Sequence, residues 1–174
     1  MTSMSHDDQS MRIPTPYVSE PMLIPSEWCN TDGALRTAYY GVVFDRRSDG
    51  AFELLGLGEE YAKNRNLTFY TAESHICFIK PVYIRDSVTV SFQLIDHDEK
   101  RLRSYQEMRH VDGWLVATTE VLSLHVDLSV RKVVPFPDDI RAKIENMAKA
   151  HARLELPVLS GKHIDLHSAD GGAL

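Results

Sequence analysis

A short polar turn stands directly before a long apolar-periodic segment, and it carries residues that could do chemistry. Residues 29–34 read Cys-Asn-Thr-Asp-Gly-Ala, and the Asp32 carboxylate could accept a proton from water. If the following segment is a helix, its first N–H groups lack partners and could stabilise an oxyanion close to Gly33. The alternative is an ordinary turn in which Asn30, Thr31 or Asp32 caps the helix. Asn30, Asp32 and Gly33 are therefore candidate catalytic residues.

A second polar group lies in a predicted strand at 67–84. Alternation along a strand predicts that four of its residues share one face: Thr71, Glu73, His75 and Cys77. Glu73 could act as a base. Histidine exchanges protons near neutral pH, so His75 could carry a proton or orient water. The alternative is a polar pair on a solvent-facing surface.

The elements that must position these residues follow from hydrophobic periodicity. A long helix is predicted over 35–57, with an apolar stripe that weakens at 46–50, where Gly50 would allow a bend. Pro21 and Pro25 confine the extended run at 17–28 to a sheet edge. Four further strands are predicted, the last two joined by an Asp-Gly turn, at 67–84, 87–96, 101–111 and 114–128. A surface helix is predicted over 138–154.

This order predicts an α+β fold with one antiparallel sheet against the long helix. One helix cannot cover such a sheet, so an uncovered edge is expected to pair with a second copy of the chain. We expect three parts: a disordered tail at 1–16, one domain at 17–136, and a C-terminal helix and tail at 137–174.

Composition narrows the class of protein. The chain has 174 residues, and 19 basic against 25 acidic side chains give a net charge of −6, which argues against a nucleic-acid partner. No apolar run approaches the roughly 18 residues of a membrane span. The chain has only two cysteines, and its first ten residues lack the apolar core of a secretory signal, so we expect free thiols and a cytoplasmic location. No spacing predicts a metal site.

An ordered set of motifs over about 17–140 resembles one known family. The motifs are Glu-Trp-Cys-Asn-Thr-Asp-Gly at 27–33 with Ala-Tyr-Tyr at 38–40, Phe-Tyr-Thr-Ala-Glu-Ser-His-Ile at 69–76, Lys-Arg-Leu at 100–102, and Leu-His-Val-Asp-Leu at 124–128 before Pro135-Phe136. The chain resembles hot-dog fold acyl-CoA thioesterases of the 4-hydroxybenzoyl-CoA type, near the betainyl-CoA thioesterase branch. The resemblance implies a sheet wrapped around the long helix, and a homodimer or dimer of dimers with active sites at the subunit interface.

The resemblance also implies a small acyl-CoA substrate, with coenzyme A as part of the substrate and no separate cofactor. Four basic residues near strand ends could hold the phosphates of CoA, or be ordinary solvated residues: Arg85, Lys100, Arg101 and Arg103. Three aromatic residues beside the turn could form a wall that binds a quaternary ammonium, or belong to the core: Trp28, Tyr39 and Tyr40.

The sequence departs from the family pattern at two positions of the turn. Asn30 stands where the family has an aspartate, and Ala34 where it has a histidine. An amide is neither base nor nucleophile, so we expect Asn30 to orient the thioester or water while Asp32 or Glu73 supplies the base. Two alternatives stay open: a non-catalytic hot-dog module that binds acyl-CoA or serves in assembly, and, less favoured, a dehydratase.

Overall fold

The computed structural model describes residues 13–166, which form an α+β domain. The helices are α1 (Thr37–Leu54), α2 (Glu59–Arg65) and α3 (Asp138–His151), with a 3-10 helix at Ser26–Trp28. The strands are β1 (Tyr17–Val18), β2 (Met22–Leu23), β3 (Leu67–Phe78), β4 (Ser87–His97), β5 (Arg101–His110), β6 (Leu115–Asp127) and β7 (Lys132–Val133). The predicted elements are present, but β3 ends six residues before position 84, because Pro81 has no N–H to donate to a strand ladder.

All strands join one antiparallel sheet in the order β1-β4-β5-β6-β3. β2 also pairs with β4, and β7 with β6. The two short strands β1 and β2 flank Pro21 at one edge, as the prolines predict. At the other edge, β3 pairs only with β6 within the described residues. Its outer backbone groups are therefore open to another strand.

The interior face of the sheet packs on α1 in two separate apolar clusters. The first core cluster surrounds the amino-terminal half of the helix and includes Tyr40 and Val43. The second surrounds the carboxy-terminal half, where Phe52 stacks on Phe69 at a centroid distance of 4.2 Å. The amphipathic helix α3 completes the second cluster by burying one face, which includes Ile144.

Two buried histidines hold the second cluster to neighbouring segments. His125 Nδ1 donates to the Val134 carbonyl (2.9 Å), and its Nε2 accepts from the Tyr61 hydroxyl (2.8 Å). His151 Nδ1 accepts from the Leu94 N–H (2.9 Å), and its Nε2 donates to the Pro14 carbonyl (3.0 Å). Pro14 is thus bonded to the domain, which corrects the predicted disorder at 13–16. The rest of that tail, 1–12, and the C-terminal residues from 167 lie outside the described residues.

A β-bulge in β3 overturns one prediction about which side chains share a face. Thr71 pairs with Ser123, but Glu73 pairs with Leu122, so the register shifts by one at Ala72. Such an extra residue reverses the alternation of side chains along a strand. Thr71 therefore lies on the interior face, and Glu73 lies on the outer face of the sheet.

Candidate active site

The polar turn folds as a small hairpin that leads into α1. Cys29 and Leu35 form an antiparallel bridge, and the Asn30 N–H donates to the Ala34 carbonyl (2.8 Å). Gly33 lies at φ +85°, a conformation that favours glycine. The Arg36 Nε donates to the Cys29 carbonyl (3.1 Å) and ties the end of the hairpin to its beginning. These contacts therefore hold the turn in one defined conformation.

The free N–H groups of this segment are those of the first two residues of α1, and the N–H of Gly33 is not among them. The Gly33 N–H donates to the Asn30 carbonyl (2.9 Å), and the Ala34 N–H donates to Asp32 Oδ1 (3.1 Å). Arg36, the N-cap of α1, makes no side-chain capping bond. Within residues 13–166, the N–H groups of Thr37 and Ala38 have no partner. These two groups, at the positive end of the helix dipole, are the donors available to an oxyanion.

Two polar side chains stand exposed on the same turn. Asp32 caps its own turn through Oδ1 rather than capping the helix, and its Oδ2 accepts no hydrogen bond from the described residues. The Asn30 amide is also exposed, with no partner in that range. A carboxylate and an amide are therefore exposed on the turn that leads into α1.

Glu73 and His75 lie in a different environment. On the outer face they line a cleft with Arg103, Glu120 and the segment 161–163. The Glu120 carboxylate accepts from Arg103 Nε (2.5 Å) and from the Gly161 N–H (2.6 Å), which fixes this part of the C-terminal segment over the sheet. No contact between the described residues joins Glu73 or His75 to the turn at 30–33.

The three predicted aromatic residues pack mainly on one another and on the core. Trp28 and Tyr40 are buried, and Trp28 stacks on Tyr39 at 5.1 Å. The Arg46 guanidinium lies 5.1 Å from the Trp28 ring centroid, so a cation of the chain itself already occupies one face of this ring. Burial raises the pKa of the Tyr40 hydroxyl. Of the three, the half-buried Tyr39 has the most surface open to a ligand.

The predicted phosphate-binding cations do not form one cluster. Arg85 precedes β4 and Lys100 follows it, so roughly 35 Å of strand separates them at about 3.3 Å per residue. Lys100 pairs with Glu99 (3.3 Å) and Arg101 with Asp98 (2.5 Å). Arg103 is paired with Glu120, as described above. Among these four, Arg85 is the one without an ion pair in the described range.

The sheet interior contains a polar cleft that the sequence-based prediction missed. It lies between the two core clusters, between α1 and strands β3, β5 and β6, and has a volume of about 180 Å³. We call it the inner cleft. Its polar lining consists of Asp45, Ser48, Asp49, Thr71, Ser74, Gln106, Thr119 and Ser123.

The signal for the inner cleft was present in the sequence. The apolar stripe of α1 weakens at 46–50, where Gly50 would allow a bend. The helix is continuous through this stretch to Leu54, and Gly50 leaves room for the ring of Tyr17. Ser48 and Asp49 in the weak part of the stripe line the cleft, together with Asp45 just before it.

Two features are absent from residues 13–166. No helix in this range is both long and apolar enough to cross a membrane. No group of three or more His, Cys, Asp or Glu side chains there could hold a metal ion. Cys29 and Cys77 are free thiols.

An antiparallel sheet packed on one long helix is the arrangement of the hot-dog fold. The chain belongs to the thioesterase-like superfamily, whose family model matches residues 24–144. The resemblance noted from the sequence motifs, the α+β fold and the thioesterase class of enzyme are thereby confirmed at the level of the family.

Two relatives and one solved structure are similar to the chain over most of its length. The chain is 32% identical over 141 residues to the betainyl-CoA thioesterase of Pseudomonas aeruginosa, covering 80% of this chain and 89% of the relative. It is 28% identical over 142 residues to an L-carnitine dehydrogenase/betainyl-CoA thioesterase of Rhizobium meliloti; these cover 81% of this chain but 28% of that relative's length. A Staphylococcus aureus protein solved in complex with CoA has the same fold, with a TM-score of 0.81, 22% identity, and coverage of 89% and 98% of the two chains.

Proposed function

We propose that this protein hydrolyses small acyl-CoA thioesters, with betainyl-CoA as the first candidate. The observation that carries the proposal is the start of α1, where the unpartnered N–H groups of Thr37 and Ala38 lie close in sequence to the Asp32 carboxylate. The betainyl-CoA thioesterase of P. aeruginosa, at 32% identity, supports the choice of acyl group.

The reaction needs an oxyanion site and a base. The thioester oxygen accepts hydrogen bonds from the N–H groups of Thr37 and Ala38 as negative charge develops on it. Asp32 takes a proton from water, whose oxygen attacks the carbonyl carbon, and the Asn30 amide orients the water. The C–S bond then breaks, the acid is released, and the CoA thiolate takes up the proton. This scheme needs no separate cofactor.

Asp32 is the better candidate for the base than Glu73. Asp32 lies five residues before the first residue of α1, and its Oδ2 accepts no hydrogen bond within the described chain. Glu73 lies on the outer face of the sheet with His75. Glu73 or His75 could act only if the outer face of one protomer met the turn at 30–33 of a second subunit.

A homodimer is part of the proposal. The unpaired edge of β3 carries exposed apolar side chains, including Tyr70 and Phe78, at 55% and 46% exposure. Antiparallel pairing of two β3 edges would continue the sheet across a twofold axis. Two such dimers could pair further. We propose that Arg85 at one end of each sheet, and Lys100 and Arg101 at the other, contact CoA phosphates. Because roughly 35 Å separates the two ends, both sets reach one CoA only if they come from different subunits. We also propose a cytoplasmic location.

Substitution of the two carboxylates tests the base. We expect Asp32→Asn to lower kcat for acyl-CoA hydrolysis by about 10²- to 10⁴-fold, because the amide still accepts the Ala34 N–H but cannot take a proton. Glu73→Gln is the matched control and should change kcat less than about threefold. Full activity of Asp32→Asn, or a large loss in Glu73→Gln alone, would contradict this assignment.

One observation favours a second candidate, a module that binds acyl-CoA without hydrolysing it. Asn30 and Ala34 replace the aspartate and histidine of the family pattern. A ligand that binds the native state raises thermal stability without turnover. A panel of acyl-CoA thioesters that raises Tm, with no release of free CoA, would identify the module.

A further inference from the structure

The floor of the inner cleft is polar where a sheet interior is usually apolar. Gln106, Thr119 and Ser123 are only 4%, 2% and 2% exposed. They lie on the face of the sheet that carries Phe92 and Met108. Burying polar groups opposes folding unless they find hydrogen-bond partners. Packing alone therefore does not explain why this floor is polar.

The rim of the cleft is acidic. Asp45 and Asp49, one helical turn apart on α1, are exposed and form no ion pair among residues 13–166. Burial and the neighbouring Asp45 raise the pKa of Asp49, against an opposing effect of Arg47. Arg47 does not line the cleft, and neither does any other basic residue in that range. The lining is therefore negative, and Arg47 acts on it from outside the cleft.

A buried acceptor independently indicates a ligand. Gln106 lines the cleft, and its Oε1 is buried without a hydrogen-bond partner within the described chain. The Thr119 hydroxyl, by contrast, has a partner, since it forms a hydrogen bond with the Ser74 hydroxyl at 3.1 Å. An unpaired carbonyl oxygen in a cleft whose rim carries two carboxylates favours a positively charged ligand.

We infer that the inner cleft is the acyl subsite of the proposed thioesterase, and that it selects a small acyl group carrying a fixed positive charge, such as a trimethylammonium group. The inference rests on the proposed function. The aromatic rings of Phe44, Phe52 and Phe69 also line the cleft and can contact the methyl groups. The volume of about 180 Å³ suits a small acyl group.

The position of the cleft mouth agrees with this role. The exposed residues of the lining are Asp45 and Asp49 on α1 and Thr71 and Ser74 on β3. The mouth therefore opens beside the β3 edge, which is the edge of the proposed dimer. In the proposed dimer, a second subunit paired at this edge would lie beside the mouth, and its helix start would hold the thioester while this cleft holds the acyl group.

Binding of two non-hydrolysable CoA thioethers tests the inference without requiring turnover. In one, the sulfur carries a 2-(trimethylammonio)ethyl group; in the other, the isosteric neutral 3,3-dimethylbutyl group. By isothermal titration calorimetry we expect the cationic compound to bind at least about tenfold more tightly, as expected for a charge beside partly desolvated carboxylates. We expect Asp45→Asn and Asp49→Asn each to reduce this ratio at least threefold.

Glu145→Gln is the control, because Glu145 is an exposed acid on α3, outside the cleft and not among the groups that act on Asp49. It should leave the ratio unchanged, and circular dichroism should show all three variants folded. Equal binding of the two thioethers, or an equal change of the ratio in Glu145→Gln, would overturn the inference. Failure of the proposed function is distinguishable: the cationic thioether would still bind more tightly, while no acyl-CoA would be hydrolysed.

Discussion

The inner cleft and the histidine-containing part of the second core cluster both bury polar groups, but they treat them in opposite ways. Both ring nitrogens of His125 and of His151 have partners within the chain. The Gln106 carbonyl oxygen has none among the described residues. Because an unpaired buried polar group costs about 1–3 kcal/mol, the histidines stabilise the fold and the glutamine is a cost of forming the cleft.

Carboxylates show the same contrast. Asp139 accepts from the Arg65 guanidinium through both oxygens, at 2.9 and 2.6 Å. Asp45 and Asp49 have no such partner among residues 13–166. Groups that complete their interactions inside the chain hold elements together, whereas groups left open at a cavity remain available to a ligand. The following predictions test that contrast.

The largest effect on stability is expected for His125→Ala. It removes two buried hydrogen bonds and the ring contact with Phe136 at 4.6 Å, so we expect a loss of about 3–4 kcal/mol in the free energy of unfolding. Urea denaturation measures it. Tyr61→Phe removes only the hydroxyl and should cost less. A loss below about 1 kcal/mol for His125→Ala would show that this cluster does not depend on its polar contacts.

His151→Ala should cost about 2–3 kcal/mol and also change the pH dependence of stability. Burial lowers the pKa of His151, so below about pH 6.5 the unfolded chain binds a proton that the folded chain resists. Stability from this group is complete above that pH and is lost as the pH falls towards the folded pKa. Thermal unfolding at pH 7.5 and 5.5 should show a smaller difference in the variant than in the wild type. Equal differences would contradict the prediction.

Gln106→Leu should change the free energy of unfolding in the opposite direction. Removing an unpaired buried oxygen should leave stability unchanged or raise it by about 1 kcal/mol. Gln93 offers a comparison, because its Nε2 donates to the Glu155 carbonyl at 3.2 Å, and Gln93→Leu should be slightly destabilising. If Gln106→Leu destabilises the protein by more than 1 kcal/mol, the oxygen has a structural partner and the contrast with the histidines fails.

The smallest effect is expected for Asp49→Asn. Burial and Asp45 raise the pKa of Asp49, so its charged form is mildly unfavourable at neutral pH, and this penalty develops as the pH rises through that pKa. The side chain is exposed and screened, so the gain should be only a few tenths of a kcal/mol. Thermal unfolding at pH 7 and low salt measures it, and 0.5 M NaCl should reduce it. A decrease in Tm would indicate a stabilising partner for this carboxylate.

Local patterns predicted most of the secondary structure. Periodicity located α1 and α3 to within a few residues, Asp112-Gly113 located the β5–β6 hairpin, and the prolines at 21 and 25 predicted the short edge strands. These features depend on neighbours in sequence, because φ preferences, turn chemistry and side-chain period act over a few residues. For the same reason, the turn at 30–33 could be recognised as a candidate site before its structure was known.

Tertiary structure decided which side chains and N–H groups of those elements face one another and which stay unpaired. The bulge at Ala72 moved Glu73 to the outer face, since the side of a strand on which a residue lies is set by its register with β6 and not by its own sequence. The Gly33 N–H was taken by Asn30, which left Thr37 and Ala38 as the donors. The inner cleft unites α1, β3, β5 and β6, from separate parts of the chain, because only the packing of helix on sheet brings such distant polar residues around one cavity.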